Sequence, residues 1–331
     1  MNAEEFTDLK KRAEGGDVKS MTAFGKVLIA GADGRAVHLP SGARYIARAA
    51  EKGDAEALAQ QAILVAAGIQ NPPDWDRALE MLQRAAQTGW LPAQEQLRFL
   101  ADGSGENFDH LRKRIDVASW LRPPETKVVC EWPRMLIARR LMRDGECARV
   151  IEKARGKLRR AGIYDLETGA ETVVDERSNS KAELSLLDID VPFVMLIARM
   201  SSMLGLPSQF FEPTNVLHYA PGQEFKPHHD FLSTNEPGLA ANVKALGQRI
   251  VTLLVYLKDR YEGRETRFPQ LNYAFKGAAG DALMFGNVNA KGEPDERTLH
   301  AGTPPLSGEK WVLSQWVRNR PAVLEQQQQA S

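Results

Sequence analysis

The sequence from 215 to 230 reads Asn-Val-Leu-His-Tyr-Ala-Pro-Gly-Gln-Glu-Phe-Lys-Pro-His-His-Asp, so it ends in His228, His229 and Asp230. In an extended strand, residues two apart point to the same side, so His228 and Asp230 can share one face while His229 turns away. His300, far along the chain, would complete a set of two imidazoles and one carboxylate. Such a set leaves other metal positions open and suits non-haem Fe(II), which must bind a cosubstrate and O₂.

The His-x-Asp spacing alone would not establish this site. The chain has 43 acidic residues and six histidines, so a His-x-acid match arises by chance about half of the time. A single histidine is more often a surface or satisfied core residue than a ligand. The sequence on either side of the pair decides between these interpretations.

Short strands separated by turn signals follow the His-x-Asp pair. Residues 248–257 form a nearly unbroken apolar run, typical of a strand buried on both faces, and 280–285 form a short strand after a Gly-Asp turn. Along 310–317, alternation places Lys310, Val312, Ser314 and Trp316 on one side. Many such strands predict a double-sheet jelly roll of the cupin type, or double-stranded β-helix, whose mouth is a natural small-molecule pocket.

The C-terminal part of the chain resembles the prolyl 4-hydroxylase family of 2-oxoglutarate- and Fe(II)-dependent oxygenases. After the 215–230 stretch, the matching segments lie in order at 247–257, 262–269, 280–285 and 299–318. The resemblance implies that His228, Asp230 and His300 hold Fe(II). It also implies that 2-oxoglutarate and O₂ are cosubstrates, that ascorbate keeps the iron reduced, and that hydroxylation releases succinate and CO₂.

The resemblance also assigns the residues around 2-oxoglutarate. Lys310, ten residues after His300, matches the lysine that pairs with the far carboxylate of the cosubstrate. Tyr219 and Thr266 match its supporting hydroxyl donors. A carboxylate in a partly buried pocket needs a nearby cation, because an unpaired buried charge is costly in free energy.

The substrate side follows the family less closely. Arg249 and Trp316 match positions that hold a peptidyl proline near the iron, but Phe225 replaces the usual tyrosine three residues before the first ligand. We expect a hydroxylase of peptidyl proline in a protein or peptide; the missing hydroxyl keeps a free amino acid or other small molecule open as the alternative substrate. An interaction adaptor with an inactive oxygenase domain is the alternative from another class. A zinc hydrolase would leave Lys310 and Tyr219 without a purpose.

Residues 1–100 differ in kind, because short segments recur there at spacings of 37 and 36 residues. They are 13–17 (Ala-Glu-Gly-Gly-Asp), 50–54 (Ala-Glu-Lys-Gly-Asp) and 86–90 (Ala-Gln-Thr-Gly-Trp). Small residues at these positions allow close helix pairs, with Gly31 and Gly68 ending second helices. The pattern resembles SEL-like repeats, relatives of tetratricopeptide units, with two complete repeats in a short solenoid. Such an array would either recruit a protein or serve as a structural cap.

The sequence therefore predicts an α+β chain in two parts, an all-α helical-repeat solenoid and a jelly-roll oxygenase domain with flanking helices. The expected boundaries are repeats at 1–100, a linker with a bridging helix at 101–126, the oxygenase domain at 127–320 and a disordered tail at 321–331. A flanking helix is expected at 192–206. The polar segment 166–188 before it is either disordered or a loop over the substrate.

Composition limits the partners and the compartment. The 43 basic and 43 acidic residues give zero net charge, so no basic surface for nucleic acid or an anionic membrane is expected. No apolar run could span a bilayer, and the first fifteen residues lack a signal-peptide core. Cys130 and Cys147 are too few for a disulfide framework, so we expect a cytoplasmic protein with reduced thiols. The sequence does not specify an oligomeric state.

Overall fold

The computed structural model describes residues 1–31, 35–263 and 265–321. The chain divides into two compact units, each made of two stretches. The first contains Met1–Arg122 and Ser185–Arg199, and the second contains Pro123–Leu184 and Met200–Ser331. Within the described ranges, no helix is both long and apolar enough to cross a membrane. The tail expected at 321–331 lies outside the described residues after Pro321.

Helices dominate the first unit and strands the second. The α-helices, in chain order, are α1 (Ala3–Glu14), α2 (Val18–Ala30), α3 (Leu39–Glu51), α4 (Ala55–Ala66), α5 (Trp75–Gln87), α6 (Leu91–Leu100), α7 (Phe108–Arg114), α8 (Val117–Leu121), α9 (Glu146–Arg155), α10 (Val191–Leu204) and α11 (Pro237–Leu246). The strands are β1 (Thr126–Cys130), β2 (Met135–Ala138), β3 (Arg159–Arg160), β4 (Ile163–Tyr164), β5 (Glu171–Thr172), β6 (Ser180–Leu184), β7 (Thr214–Tyr219), β8 (Phe225–His228), β9 (Arg249–Tyr256), β10 (Tyr261–Glu262), β11 (Thr266–Phe268), β12 (Tyr273–Phe275), β13 (Ala282–Gly286), β14 (His300–Gly302), β15 (Ser307–Gly308) and β16 (Lys310–Arg318). Short 3₁₀ turns occur at Ser208–Phe210, Pro269–Leu271 and Glu296–Thr298.

The first unit begins with three helix pairs, α1–α2, α3–α4 and α5–α6. The turn inside each pair contains a glycine with positive φ, at Gly16 (95°), Gly53 (85°) and Gly89 (88°). L side chains rarely adopt this backbone, so the recurring glycine marks the same turn three times. The SEL-like interpretation is confirmed, but the structure contains a third helix pair where the sequence pattern predicted only two complete repeats.

Neighbouring helix pairs approach each other closely. A Cβ added to Gly25 of α2 would lie 2.9 Å from the backbone oxygen of Gly42 in α3, and one added to Gly42 would lie 2.7 Å from that of Gly25. A real side chain does not tolerate either distance. Gly25 and Gly42 therefore set the spacing of α2 and α3, at positions outside the segments that the sequence analysis singled out.

Two short helices, α7 and α8, lie where one bridging helix was expected. Trp120 of α8 donates a 3.0 Å hydrogen bond from Nε1 to the carbonyl of Leu100. The helix expected at 192–206 is α10, and its residues up to Arg199 belong to the first unit. Arg199 is buried and donates a 2.8 Å hydrogen bond from Nε to the carbonyl of Trp120. The inserted stretch 185–199 is thus an integral part of the helical unit.

The second unit is built on antiparallel sheets. An eight-stranded sheet has the order β1-β2-β13-β9-β16-β7-β6-β3, and a four-stranded sheet has the order β12-β11-β14-β8. The pairs β10–β15 and β4–β5 complete the strand set of the described residues. Side chains from both larger sheets form one buried core, which includes Leu217, Leu254, Phe268, Phe285 and Val312. This architecture confirms the predicted double-sheet jelly roll.

The strands β9 and β16 lie side by side within the eight-stranded sheet. Strand β9 matches the apolar run predicted at 248–257, and every residue of β16 is buried. In the register, Thr252 of β9 lies opposite Trp316 of β16 on one side and Phe285 of β13 on the other. The register of the sheet therefore fixes the position of Thr252 between Trp316 and Phe285.

The polar segment 166–188 is more ordered than the sequence suggested. It contains β5 and β6, and β6 adds to the eight-stranded sheet by pairing with β7. Ala182 and Leu184 of β6 are buried, and Lys181 forms a 2.9 Å ion pair with Glu171. The expectation of a loop or disorder was wrong for 180–184, because the charged residues that made the segment look exposed are partly satisfied by this pairing.

Candidate active site

His228, Asp230 and His300 meet because two strands pair. Strand β8 ends at His228, β14 begins at His300, and the two residues lie opposite each other in an antiparallel register. Directly opposed residues bring their side chains close together. The two imidazole centroids are accordingly 4.3 Å apart. Asp230 follows β8 by two residues and completes the group.

The geometry of these three side chains suits one metal ion. One ligand atom from each lies within 4.8 Å of the others. Nε2 of His228 is 3.8 Å from Oδ1 of Asp230, and Nε2 of His300 is 3.6 Å from Oδ2. His229 faces away from this group, as alternation predicted, with its Nε2 3.0 Å from the carbonyl oxygen of Glu296.

Backbone carbonyls orient both imidazoles. Nδ1 of His228 lies 2.8 Å from the carbonyl oxygen of Lys226, and Nδ1 of His300 lies 3.0 Å from that of Thr298. Because a carbonyl only accepts, each ring donates from Nδ1 and keeps the Nε2 lone pair for a metal. Burial lowers the pKa of His300 and, more strongly, that of His228. Both rings are therefore in the neutral state that binds a metal.

Asp230 is the anionic member of the set. Burial alone would raise its pKa, but the charge of Arg249 and a hydrogen bond from Thr252 favour the ionised carboxylate and help to hold the pKa below its usual value. The Thr252 hydroxyl donates that bond to Oδ2 over 2.8 Å. Two neutral imidazoles and one ionised carboxylate are a donor set that fits Fe(II).

Lys310 supplies a buried cation near this set. The residue is 1% exposed. Its Nζ lies 3.5 Å from the carbonyl oxygen of Glu265, 5.2 Å from the ring centroid of Tyr219 and 5.7 Å from that of Tyr256. A carboxylate that reaches Nζ would gain a charge-assisted hydrogen bond. Lys310 fits the far carboxylate of 2-oxoglutarate.

Tyr219 lies opposite Lys310 in the pairing of β7 with β16. Burial raises the pKa of Tyr219 to about 12, so its hydroxyl keeps its proton and can donate. This state suits the role of a hydroxyl donor beside Lys310.

Thr266 makes a different contact from the one expected. Its Oγ1 lies 2.8 Å from the hydroxyl of Tyr256, which donates a 2.7 Å hydrogen bond to the carbonyl of Phe275. Because Tyr256 has a single hydroxyl hydrogen, it accepts from Thr266. In this arrangement the Thr266 hydrogen is used within the protein rather than offered to a ligand. Tyr256 was missed by the sequence reasoning, although a polar residue near the end of an apolar strand is a signal.

One cavity connects these groups. The lining residues are Arg177, Leu217, Tyr219, Phe225, His228, Asp230, Leu254, Thr266, His300, Gly302, Lys310, Val312, Ser314 and Trp316. Lys310, Val312, Ser314 and Trp316 therefore share one face of β16, as the alternation predicted.

Trp316 lines the cavity. Arg249 is absent from the cavity lining formed by the described residues. The Arg249 guanidinium stacks on the Trp316 ring, with Cζ 3.8 Å from its centroid. Glu212 holds it there, accepting 2.7 Å hydrogen bonds from both Nε and Nη2. The same carboxylate accepts a 2.6 Å bond from Arg318. The sequence predicted a slot walled by both Arg249 and Trp316. In the structure Trp316 forms the wall and Arg249 supports it by stacking on the indole. Glu212 neutralises the arginine inside the protein, which keeps it in that position.

Phe225 stacks closely on His228, one of the three candidate metal ligands. Its ring centroid lies 3.4 Å from that of His228 at an interplanar angle of 16°, and Cζ of Arg177 lies 4.3 Å from the Phe225 ring. Arg177 is buried and donates to Asn179 and to Gly162. Its Nη2 is buried and has no hydrogen-bond partner in the described part of the chain. Arg177 is thus a further cation of the cavity, absent from the predicted site.

Replacing Glu212 with glutamine is expected to lower stability by about 3 kcal/mol, because loss of one partner from a buried ion pair strands the other charges. Burial would raise the pKa of Glu212, but Arg249 and Arg318 hold it below its usual value. A depressed native pKa contributes stability above the unfolded pKa of about 4.3, and that contribution disappears as pH falls through the native pKa. The melting temperatures of the wild type and the Glu212→Gln variant should therefore differ near neutral pH and converge in acid.

Glu131→Gln is the matched control, since Glu131 forms an exposed ion pair with Arg134. Exposed pairs contribute at most about 1 kcal/mol. Equal melting temperatures for the Glu212 variant and the wild type near neutral pH would contradict the assignment.

A jelly roll with two imidazoles, one carboxylate and a buried lysine around one cavity defines the class of 2-oxoglutarate- and Fe(II)-dependent oxygenases. Residues 214–318 match the 2OG-Fe(II) oxygenase superfamily. The chain is 30% identical over 240 residues to prolyl 4-hydroxylase 1 of Arabidopsis thaliana, covering 65% of this chain and 82% of that protein. It is 34% identical over 193 residues to the prolyl 4-hydroxylase subunit alpha-1 of Rattus norvegicus, covering 57% of this chain and 36% of that one. The chain belongs to the prolyl 4-hydroxylase family of these oxygenases, and its cosubstrates are 2-oxoglutarate and O₂, with Fe(II) as the metal.

Two solved structures resemble separate parts of the chain. A viral collagen prolyl hydroxylase from Paramecium Bursaria Chlorella virus-1 is 26% identical, with a TM-score of 0.44 over 57% of this chain and 98% of that one. A Sel1 repeat protein from Oxalobacter formigenes is 23% identical, with a TM-score of 0.29 over 34% of this chain and 90% of that one.

Proposed function

We propose that this protein hydroxylates proline residues of a protein or peptide, with succinate and CO₂ as co-products and ascorbate as the reductant that maintains the iron. The observation that carries the proposal is one cavity that contains His228, Asp230 and His300 together with the buried Lys310. When bound, the iron and its cosubstrates supply the oxidising chemistry. The residues of the chain bind the reactants, orient them and exclude water.

The cosubstrate would lie between the metal ligands and Lys310. Its keto-acid end would bind at the open metal positions, and its far carboxylate would accept hydrogen bonds from Lys310 and Tyr219. Both side chains are buried, at 1% and 3% exposure, so these bonds form away from bulk water and gain strength. Thr266 would keep the wall beside them in place through Tyr256.

The substrate would be held by Trp316 and Arg177. A flat indole suits the apolar proline ring, and Arg249 keeps that indole in position by stacking on it. The buried Nη2 of Arg177 is available to a carbonyl oxygen of the substrate backbone. Phe225 carries no hydroxyl, so polar recognition on its side of the cavity would depend on the arginine.

The test is turnover of the full-length protein with Fe(II), ascorbate and 2-oxoglutarate on panels of proline-containing peptides and free amino acids. Succinate release matched by the gain of one oxygen atom on a peptidyl proline, located by mass spectrometry, is the expected result. Turnover confined to free amino acids would replace the proposal by the small-molecule alternative. A folded protein that binds neither Fe(II) nor 2-oxoglutarate would favour the inactive adaptor.

Replacing Trp316 with alanine is expected to raise the KM for the peptide by about 10- to 100-fold, since truncation of a buried aromatic anchor removes about 1–3 kcal/mol of binding. The apparent affinity for 2-oxoglutarate should change little, because Lys310 and the metal ligands are intact. Trp316→Phe keeps an aromatic face and serves as the control that should retain most of the affinity. Steady-state kinetics with each substrate varied in turn distinguishes the two effects; equal losses for both substrates would contradict the assignment of Trp316 to the peptide.

We further propose that the domain expected at 127–320, apart from the stretch 185–199 that belongs to the helical unit, is catalytic and that the helical repeats recruit its protein substrate. Stacked helix pairs present extended surfaces suited to binding a protein. A much higher kcat/KM for an intact protein than for a short peptide with the same proline would support this role. The two free cysteines, Cys130 and Cys147, are consistent with a reducing compartment, so we place the protein in the cytoplasm.

A further inference from the structure

A buried chain of hydrogen bonds runs from Asn287 through Thr252 to Asp230. Nδ2 of Asn287 lies 2.9 Å from Oγ1 of Thr252, which lies 2.8 Å from Oδ2 of Asp230. Asn287 and Thr252 are both 0% exposed, and Asp230 is 6% exposed. Water therefore has little access to these contacts, so their direction and geometry are set by the protein.

The direction of each hydrogen bond follows from the charge on Asp230. An ionised carboxylate can only accept, so the single hydroxyl hydrogen of Thr252 points to Asp230. The oxygen of Thr252 must then accept from its other neighbour, which fixes the amide of Asn287 with its NH₂ group toward Thr252. The second amide oxygen, Oδ1 of Asn287, is buried with no hydrogen-bond partner among the described residues.

An unpaired buried amide oxygen is unfavourable, typically by about 1–3 kcal/mol. An apolar residue at 287 would avoid that penalty, so stability alone does not account for the asparagine. Thr252 is likewise a polar residue inside the apolar strand β9, where valine would fill the same space. Thr252 contacts the Asp230 carboxylate directly and Asn287 contacts it through Thr252, so both residues point to a role at that carboxylate.

We propose that Thr252 and Asn287 are positioning residues that fix the Asp230 carboxylate so that it binds the metal through Oδ1 alone. The inference rests on the metal site proposed above. The hydrogen bond from Thr252 holds Oδ2 and prevents the carboxylate from rotating to offer both oxygens to the ion. A carboxylate bound through both oxygens would occupy a position that 2-oxoglutarate or O₂ requires, so the pair keeps the metal open for its reactants.

The test uses Co(II) as a spectroscopic probe of the full-length protein, because its visible absorption reports both affinity and coordination. Thr252→Val is expected to weaken Co(II) binding by about 10- to 100-fold, the usual effect of losing a partner that orients a metal ligand. It should also change the absorption spectrum. Thr252→Ser retains the hydroxyl and should restore both. Asn287→Leu should have a smaller effect than Thr252→Val, since Thr252 could still donate to Asp230.

The double variant Thr252→Val with Asn287→Leu keeps the proposal testable if Thr252→Val alone folds poorly. It removes the Asn287 amide together with the Thr252 hydroxyl that it contacts, and apolar replacement of both partners of a hydrogen bond can be nearly neutral for stability. Its Co(II) affinity should be no lower than that of Thr252→Val, because both residues act through one hydrogen bond. Weak metal binding by a stably folded double variant is the expected signature.

Thr214→Val is the matched control. Thr214 is a buried threonine of the same sheet, and its hydroxyl bonds the side chain of Gln315 rather than a metal ligand. If folded Thr252→Val, alone or combined with Asn287→Leu, binds Co(II) as tightly as the wild type and Thr214→Val, with the same spectrum, the positioning role is refuted. Failure of the wild-type protein to bind Co(II) or Fe(II) would instead refute the metal site itself.

Discussion

Replacing His300 with alanine is expected to abolish both metal binding and 2-oxoglutarate turnover. The variant retains only His228 and Asp230, and a buried carboxylate beside one imidazole cannot hold an open iron site firmly. Anaerobic titration of the wild type with Fe(II) and 2-oxoglutarate should produce a weak visible absorption band. The variant should show neither the band nor succinate formation, while its thermal unfolding confirms that it is folded.

His229→Ala is the control for this experiment, since it removes the adjacent imidazole. His229 faces Glu296, with its Nε2 3.3 Å from the carboxylate, and lies outside the ligand group. Its removal should leave the absorption band and turnover in place. The assignment fails if His300→Ala still forms the band, or if His229→Ala loses it to the same extent.

Replacing Lys310 with methionine is expected to weaken 2-oxoglutarate binding severely without removing the metal. Truncation of one partner of a buried charge pair costs about 2–5 kcal/mol, which corresponds to about 30- to several thousand-fold in apparent affinity. Binding of Co(II) in the absence of the cosubstrate should remain. Thermal unfolding of the free protein checks that the variant is folded.

Lys258→Met is the matched control for charge removal. Lys258 forms a 3.0 Å ion pair with Glu309, and both side chains are more than one third exposed. Exposed pairs of this kind contribute about 0–1 kcal/mol, so 2-oxoglutarate affinity should be close to that of the wild type. An unchanged KM for 2-oxoglutarate in Lys310→Met would remove the lysine from the cosubstrate site.

The parts of the site that the sequence predicted depend on local periodicity. Alternation along an extended chain placed His228 and Asp230 together with His229 turned away, and it placed Lys310 and Trp316 on one side of a strand. The ordered family resemblance then connected His300 to the pair. These features survive in the structure because β8 pairs with β14, and β16 pairs with β7 and β9, in a defined register.

Other features depended on contacts between distant residues, which periodicity does not encode. The placement of Arg249 depends on Glu212, and the orientation of Asp230 depends on Asn287 through Thr252. Strand β6 was missed because its charged residues looked like those of an exposed loop. The third copy, at 86–90, was recognised but not counted as a complete repeat, and it ends in Trp90 where the earlier copies have aspartate.

The strand order has a consequence for how the protein is made. Strand β16 is the last strand of the described chain, yet it lies between β9 and β7 inside the eight-stranded sheet. Until it emerges from the ribosome, β9 and β7 each lack one of their two neighbouring strands, and Lys310 is missing from the cavity. The eight-stranded sheet therefore cannot close until β16 has been made, whereas the helical unit has all of its residues once the chain has been made as far as Arg199.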